Sequence, residues 1–119
     1  MPGEDLALGV SFGEPRPGGF RKVIVPLKLE IPLDQITLLP SAEGSVAQLE
    51  LRVAATDDRG RDANIPVIPV RLRGDPAAAA EMASFELSLK LRRRPHRLLI
   101  SIHDPVSGNL ISKRVDLAL

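Results

Sequence analysis

A triad-like trio, two histidines, a knot of aspartates and a run of arginines are the residues of this 119-residue chain whose types could do chemistry. Ser101, His103 and Asp104 name the members of a hydrolase triad, in which a base takes the nucleophile's proton and a carboxylate orients the base. Crowded into four positions of one strand-like run, they do not converge, because neighbours along a strand point to opposite faces. The same rule separates His96 from His103, seven residues on, so the two cannot chelate one ion. His96 shares the phase of Leu98 and is expected at the rim of a core; His103 shares that of Ser101 and faces out. Asp57, Asp58 and Asp62 surround Gly60 and could offer oxygens to Ca²⁺, but Arg59 and Arg61 sit among them and the EF-hand spacing is absent. A turn with Gly60 in the left-handed region is the expectation there, and Asp104 ahead of Ser107-Gly108 reads as an Asx-type turn. The chain has no cysteine, which excludes disulfides, thiolate zinc sites and cysteine nucleophiles. It also lacks the glycine-rich phosphate loops and the H-E-x-x-H zinc motif. No catalytic, metal-binding or cofactor-binding residue is assigned, no cofactor is expected, and the chain reads as a non-enzyme.

The densest charge lies at Lys90, Arg92, Arg93, Arg94 and Arg97. Formal net charge is only +1, yet residues 1–62 hold ten acids against seven bases and residues 63–119 five against nine. A basic run can mark a phosphate-binding patch, which makes Arg92, Arg93, Arg94 and Arg97 the candidate anion contacts. Arg92-Arg93-Arg94-Pro95 also has the composition of a solvated turn between two strands. The turn reading is favoured, because the sequence sets no second basic stripe and no interleaved aromatic beside the run. The only aromatics are Phe12, Phe20 and Phe85, each in or beside an apolar run and expected in the core. Without Trp or Tyr, the aromatic platforms that read glycans and single-stranded nucleic acid are not provided for.

The elements that must position these residues follow from alternation. Apolar side chains recur at every second position in residues 23–33, 49–55, 85–91 and 98–102, the period of half-buried strands. Residues 6–12 carry the same pattern at Leu6, Leu8, Val10 and Phe12, and residues 110–119 close the fold with Ile111, Val115, Leu117 and Leu119. Residues 14–19 read as a loop, and residues 36–39 as a short continuation of the strand over 20–33. In residues 65–72 the phase shifts between Val67 and Ile68, which a bulge or a sheet switch would reconcile. Pro26, Pro32, Pro66 and Pro69 remove ladder donors, so the strands over 20–33 and 65–72 are expected at least partly on sheet edges. Asp75-Pro76 and the alanines after them give the one helical signature. The fold expected is all-β, a two-layer antiparallel sandwich of the immunoglobulin-like or fibronectin type III-like kind, with about seven strands and one short helical turn near 76–83. A small closed barrel is the alternative. Residues 1–119 read as one domain with 1–5 flexible. Its core is expected to hold Val25, Leu27, Leu29, Leu49, Leu51, Val53, Leu87, Leu89, Leu98, Ile100, Ile102 and Val115. Apolar runs fall far short of the ~18 residues of a membrane helix, so no membrane insertion is expected. The acidic start, Met1-Pro2-Gly3-Glu4-Asp5, lacks the basic and apolar regions of a signal peptide.

Two stretches resemble a known module. Lys22-Val23-Ile24-Val25-Pro26-Leu27 leading to Ile31-Pro32-Leu33-Asp34, and the strand ending Ala54-Ala55-Thr56-Asp57-Asp58-Arg59-Gly60, are similar to the β module that follows a von Willebrand factor A-like domain in the VWFA-related secreted proteins of Acidobacteria and their relatives. Leu98-Leu99-Ile100-Ser101-Ile102-His103-Asp104-Pro105-Val106-Ser107-Gly108 looks like that family's final hairpin. The resemblance implies an accessory module of a larger exported bacterial protein, secreted or periplasmic. No catalytic residues carry over, and the Asp-x-Ser-x-Ser adhesion signature is missing from this chain. The main functional expectation is therefore a non-enzymatic module for scaffolding or protein–protein contacts, its partner a protein or a neighbouring domain of the parent chain. The alternative is binding of an anionic polymer, nucleic acid or acidic glycan, by the loop over residues 92–97, with nucleic acid the less favoured. The sequence leaves oligomeric state open.

Overall fold

Where apolar and polar side chains alternate, a strand buries one face and wets the other, and two such faces cover each other. The computed structural model describes residues 8–42, 44–63, 65–74 and 82–119. In chain order the strands are β1 (Gly9–Phe12), β2 (Arg16–Pro17), β3 (Lys22–Pro32), β4 (Leu39–Ser41), β5 (Gly44–Asp57), β6 (Ile68–Gly74), β7 (Met82–Arg92), β8 (His96–His103) and β9 (Leu110–Leu117), with a 3-10 turn at Leu33–Gln35. The molecule is all-β, with two antiparallel sheets. In the first, β7 pairs β3 from Lys22↔Arg92 to Pro32↔Met82, while β1 and β2 share the other side of β3. In the second, β6 and β8 both pair Glu50 and Leu51 of β5, so they flank it on opposite sides. β9 lies beyond β8, and β4 covers the start of β5.

One apolar cluster joins the inner faces of both sheets. Val25, Leu27, Leu29, Leu49, Leu51, Val53, Leu89, Leu98, Ile100 and Ile102 are buried in it. Leu87 and Val115 are half-buried against it. Burying each such side chain is worth about 1.5–3 kcal/mol.

Several sequence expectations are corrected. Strands number nine rather than about seven among the described residues, because Arg16–Pro17 forms a short strand in a segment read as a loop, and Leu39–Ser41 another where the continuation over 36–39 is expected to give way to a turn at Pro40. β6 begins at Ile68, so the change of phase after Val67 marks the start of the strand and needs no bulge. The helical signature near 76–83 lies outside the described residues except for Met82 and Ala83. These open β7, paired with Pro32 and Ile31, because Ala83 continues the inward phase of Phe85 and Leu87. Residues 1–5 also lie outside the described residues.

β6 pairs β5 alone and is an edge strand, as Pro69 suggests, while Pro66 lies ahead of the strand. β3, however, is interior. The carbonyl of Pro26 accepts from Gly13 N–H at 2.9 Å, so the even-numbered positions of β3 direct their backbone groups away from β7. The donor missing at Pro26 therefore falls at the break between β1 and β2, and that at Pro32 falls past the partners of β1. Proline is tolerated in this central strand because no ladder bond to β7 depends on it.

Candidate anion-binding end

The turn from β2 to β3, the turn after β5 and the turn from β7 to β8 lie side by side. Antiparallel pairing puts the first residue of β3 against the last of β7, Lys22↔Arg92, and the last of β5 against the first of β8, Asp57↔His96. Backbone bonds join the turns: Arg93 N–H donates to the carbonyl of Arg21 at 3.0 Å, and Asp58 N–H to that of Pro95 at 3.1 Å.

Two polar side chains on the inward phase make the rim of this end. Asp57 continues the buried series Leu49, Leu51, Val53 and Ala55, and is itself 5% exposed. Its Oδ1 accepts the backbone N–H groups of Arg59 and Arg61, both at 2.9 Å. Its Oδ2 faces the guanidinium groups of Arg61 at 3.5 Å and Arg92 at 3.7 Å. The Arg61 amide foremost, then the Arg59 amide and the two guanidinium charges, hold the Asp57 carboxyl below the usual range against the effect of burial. His96 continues the buried series of β8, and its Nδ1 donates to the carbonyl of Arg94 at 2.7 Å, fixing the path of the arginine turn. Gly60, at φ 77°, closes the turn after β5 in the left-handed region, as expected.

Above this rim is a hollow of about 700 Å³ lined by Gly19, Phe20, Arg21, Lys22, Arg59, Arg61, Arg92, Arg93 and Arg94. Seven of these nine side chains are cationic, and none is acidic. Asp58 takes Arg94 in a bidentate pair, 2.7 Å to Nε and 3.1 Å to Nη2, which strengthens the hold of that guanidinium on its proton. Arg61 and Arg92 answer Asp57. Among the described residues no carboxylate pairs with the side chains of Arg21, Lys22, Arg59 or Arg93. Phe20 is 85% exposed, with the Arg21 guanidinium 4.9 Å from its ring centroid. Arg21 itself stands at φ 56°, a region that favours glycine and costs an ordinary residue about 1–3 kcal/mol.

Arg92, Arg93 and Arg94 are thus brought together as the run predicts. Arg97 is not: it lies within β8 opposite Thr56 and Asp116, outside the hollow. Phe20 is a correction, expected in the core and found on the surface, because it precedes β3 and never enters the strand's inward phase. Arg21, Lys22, Arg59 and Arg61 are the cations that sequence reading left apart. Gly18-Gly19 ahead of Phe20-Arg21-Lys22 was the local signal, but only strand pairing places that turn beside 92–94.

The remaining candidates have other partners. Ser101 Oγ meets Ser112 Oγ at 3.1 Å. His103 Nδ1 donates to Glu50 Oε1 at 3.0 Å, and this bond, with Arg52 nearby, holds the Glu50 carboxyl below its ordinary value. Asp104, 2% exposed, accepts Thr37 N–H at 2.8 Å and Val106 N–H at 3.0 Å, the latter closing the expected Asx turn. The triad-like trio therefore serves three unconnected purposes. Asp57, Asp58 and Asp62 are likewise spent, on turn amides and arginines, on Arg94, and on the Thr56 hydroxyl at 2.8 Å.

No family model matches the chain, and no curated protein matches it significantly. Among solved structures it is similar to an X-ray structure of Northeast Structural Genomics Consortium target SoR45, at 17% identity and a TM-score of 0.50, over 96% of this chain and 88% of that one. This likeness is one of fold.

Proposed function

We propose that the chain is a non-enzymatic, immunoglobulin-like β-sandwich module that binds an anionic partner through its basic end. One observation carries the reading: a single hollow lined by seven cationic side chains, with no acid among its lining. The favoured solvated-turn reading rested on the want of a second basic element and of an aromatic. Arg21, Lys22, Arg59 and Arg61 supply the first and Phe20 the second. At the opposite end, Leu39, Pro40, Val46, Pro105 and Val106, with Ser41, Gln48 and Arg71 among them, line a smaller hollow of about 240 Å³, and Leu39 and Val106 are exposed. That end suits the accessory role, packing against a protein partner or neighbouring domain of a larger exported protein of the VWFA-related kind. Both roles are compatible in one module. The test is binding of labelled heparin to the 119-residue chain across a salt series. Affinity falls steeply with ionic strength for contacts between cations and a polyanion; replacement of Arg59 and Arg93 by Ser weakens binding and flattens that salt dependence. Binding indifferent to both salt and these substitutions would return the module to apolar scaffolding alone.

A further inference from the structure

Resting on the anionic-partner reading, we propose that the partner of the basic end is the surface of an anionic lipid bilayer, with Phe20 as the side chain that enters it. The lining side chains of the hollow are all hydrogen-bond donors or apolar; Arg and Lys have no acceptor to offer. Reading base edges takes acceptors as well as donors, and tracking a single strand takes successive stacking faces. This end has one aromatic, held out on a turn. A glycan reader likewise needs acceptors for sugar hydroxyls. Headgroup phosphates need only donors, and the acyl boundary beneath them takes an aromatic ring.

The geometry orders these two layers. Gly18 lets the turn fold close against β3, where a Cβ would come within 3.0 Å of Ile24 Cγ1 and of the Val23 carbonyl carbon. The left-handed backbone at Arg21 reverses the chain immediately after Phe20 and sets the Arg21 guanidinium over the ring. The ring is therefore the projecting apolar point of a cationic surface, with Lys22, Arg59 and Arg93 free to take phosphates around it. One apolar anchor and one basic patch together give reversible surface attachment, neither being sufficient by itself. Attachment of this kind uses no membrane-spanning segment.

Sedimentation with vesicles of phosphatidylglycerol and phosphatidylcholine tests the proposal, with heparin titrated in parallel. The chain binds the mixed vesicles and not pure phosphatidylcholine. Each cation near an anionic leaflet is worth about fivefold in affinity, so Arg59→Ser with Arg93→Ser weakens binding about 30-fold. Phe20→Trp shows a blue-shifted emission on mixing with the anionic vesicles. Phe20→Ser weakens vesicle binding about tenfold or more and leaves heparin binding unchanged, and its circular dichroism melt matches wild type because the ring is exposed. Vesicle binding unaffected by Phe20→Ser, equal binding to neutral vesicles, or heparin binding with none to vesicles overturns the bilayer proposal and leaves the anionic-partner reading standing. Binding to neither overturns both.

Discussion

Asp57 and His96 occupy inward positions of β5 and β8, and Asp104 continues the inward phase one residue past the end of β8, yet each is polar. They stand where the sandwich-like core ends, so their side chains can reach the backbone groups that strand pairing no longer satisfies. His96 and Asp104 bracket Leu98, Ile100 and Ile102 on β8, and all five side chains are buried. Asp104 ties the chain after the 3-10 turn to the β8–β9 turn through Thr37 and Val106. Removing its carboxylate leaves those N–H groups without their acceptor, so Asp104→Ala should cost about 1–3 kcal/mol in a denaturant melt. Burial raises the carboxyl's pKa, but the Thr37 and Val106 amides with the Thr37 and Ser107 hydroxyls outweigh it, and the net shift is downward. A depressed carboxyl stabilises the fold above the unfolded value of about 3.9, and that contribution is lost as pH falls through the lower folded value. Stability of wild type should therefore drop on acidification below about pH 4, and the drop should be smaller in Asp104→Asn. Equal acid slopes in the two proteins would remove Asp104 from this role. Leu51, fully buried at the centre of β5, makes the plainest contrast: Leu51→Asp should unfold the domain, and a circular dichroism melt like wild type would refute its placement.

Among the elements, β3 shows how a strand can be proline-rich and still central. Its odd-numbered residues send their backbone groups to β7, and its prolines fall on even positions only, at Pro26 and Pro32. Pro26→Ala should therefore change stability by no more than about 1 kcal/mol, whereas Val25→Pro removes a β3–β7 ladder bond and should cost about 3 kcal/mol or more. Similar losses from both substitutions in urea melts would contradict the register. Alternation made the long strands and most of the core legible, because inward phase is a property of each strand alone. That Pro26 and Pro32 share the outward phase is visible in the sequence, but which neighbouring strand that side of the backbone faces is not. The fate of Phe20 was only partly hidden: its apolar type argued for the core, yet position 20 is even and the inward phase of β3 is odd, whereas the left-handed Arg21 that turns the chain beside it left no mark in the sequence. Arg92, Arg93 and Arg94 were legible as a cluster because they are adjacent in sequence. Arg59 and Arg61 read as the neutralising half of an acidic turn, and it is the pairing of Asp57 with His96 that carries them to the same end.

At the scale of the molecule, a formal net charge of +1 conceals a strongly divided surface. One end gathers seven cations around Phe20, and the other exposes Leu39 and Val106 beside prolines. A net charge of +1 gives little long-range field, but a hollow lined by one sign of charge focuses its field locally, so attraction of an anionic partner is confined to the basic end. The number of cations able to contact that partner is fewer than seven. Arg94 is engaged by Asp58, and Arg61 and Arg92 by Asp57, whose own carboxylate is fixed by two turn amides. These three arginines build the floor, and Arg21, Lys22, Arg59 and Arg93 remain to displace counterions. With a single-stranded DNA oligomer as a polyanion probe, the slope of log affinity against log salt is about −0.7 for each phosphate neutralised, so four free cations predict a slope of about −3 and seven a slope of about −5. A value near −3 should move to about −1.4 in the Arg59→Ser, Arg93→Ser protein, and should stay near −3 in Phe20→Ser, which changes no charge. A slope near −5 would mean that the partner strips Asp57 and Asp58 of their arginines. A slope near zero would show that charge does not hold the probe at all.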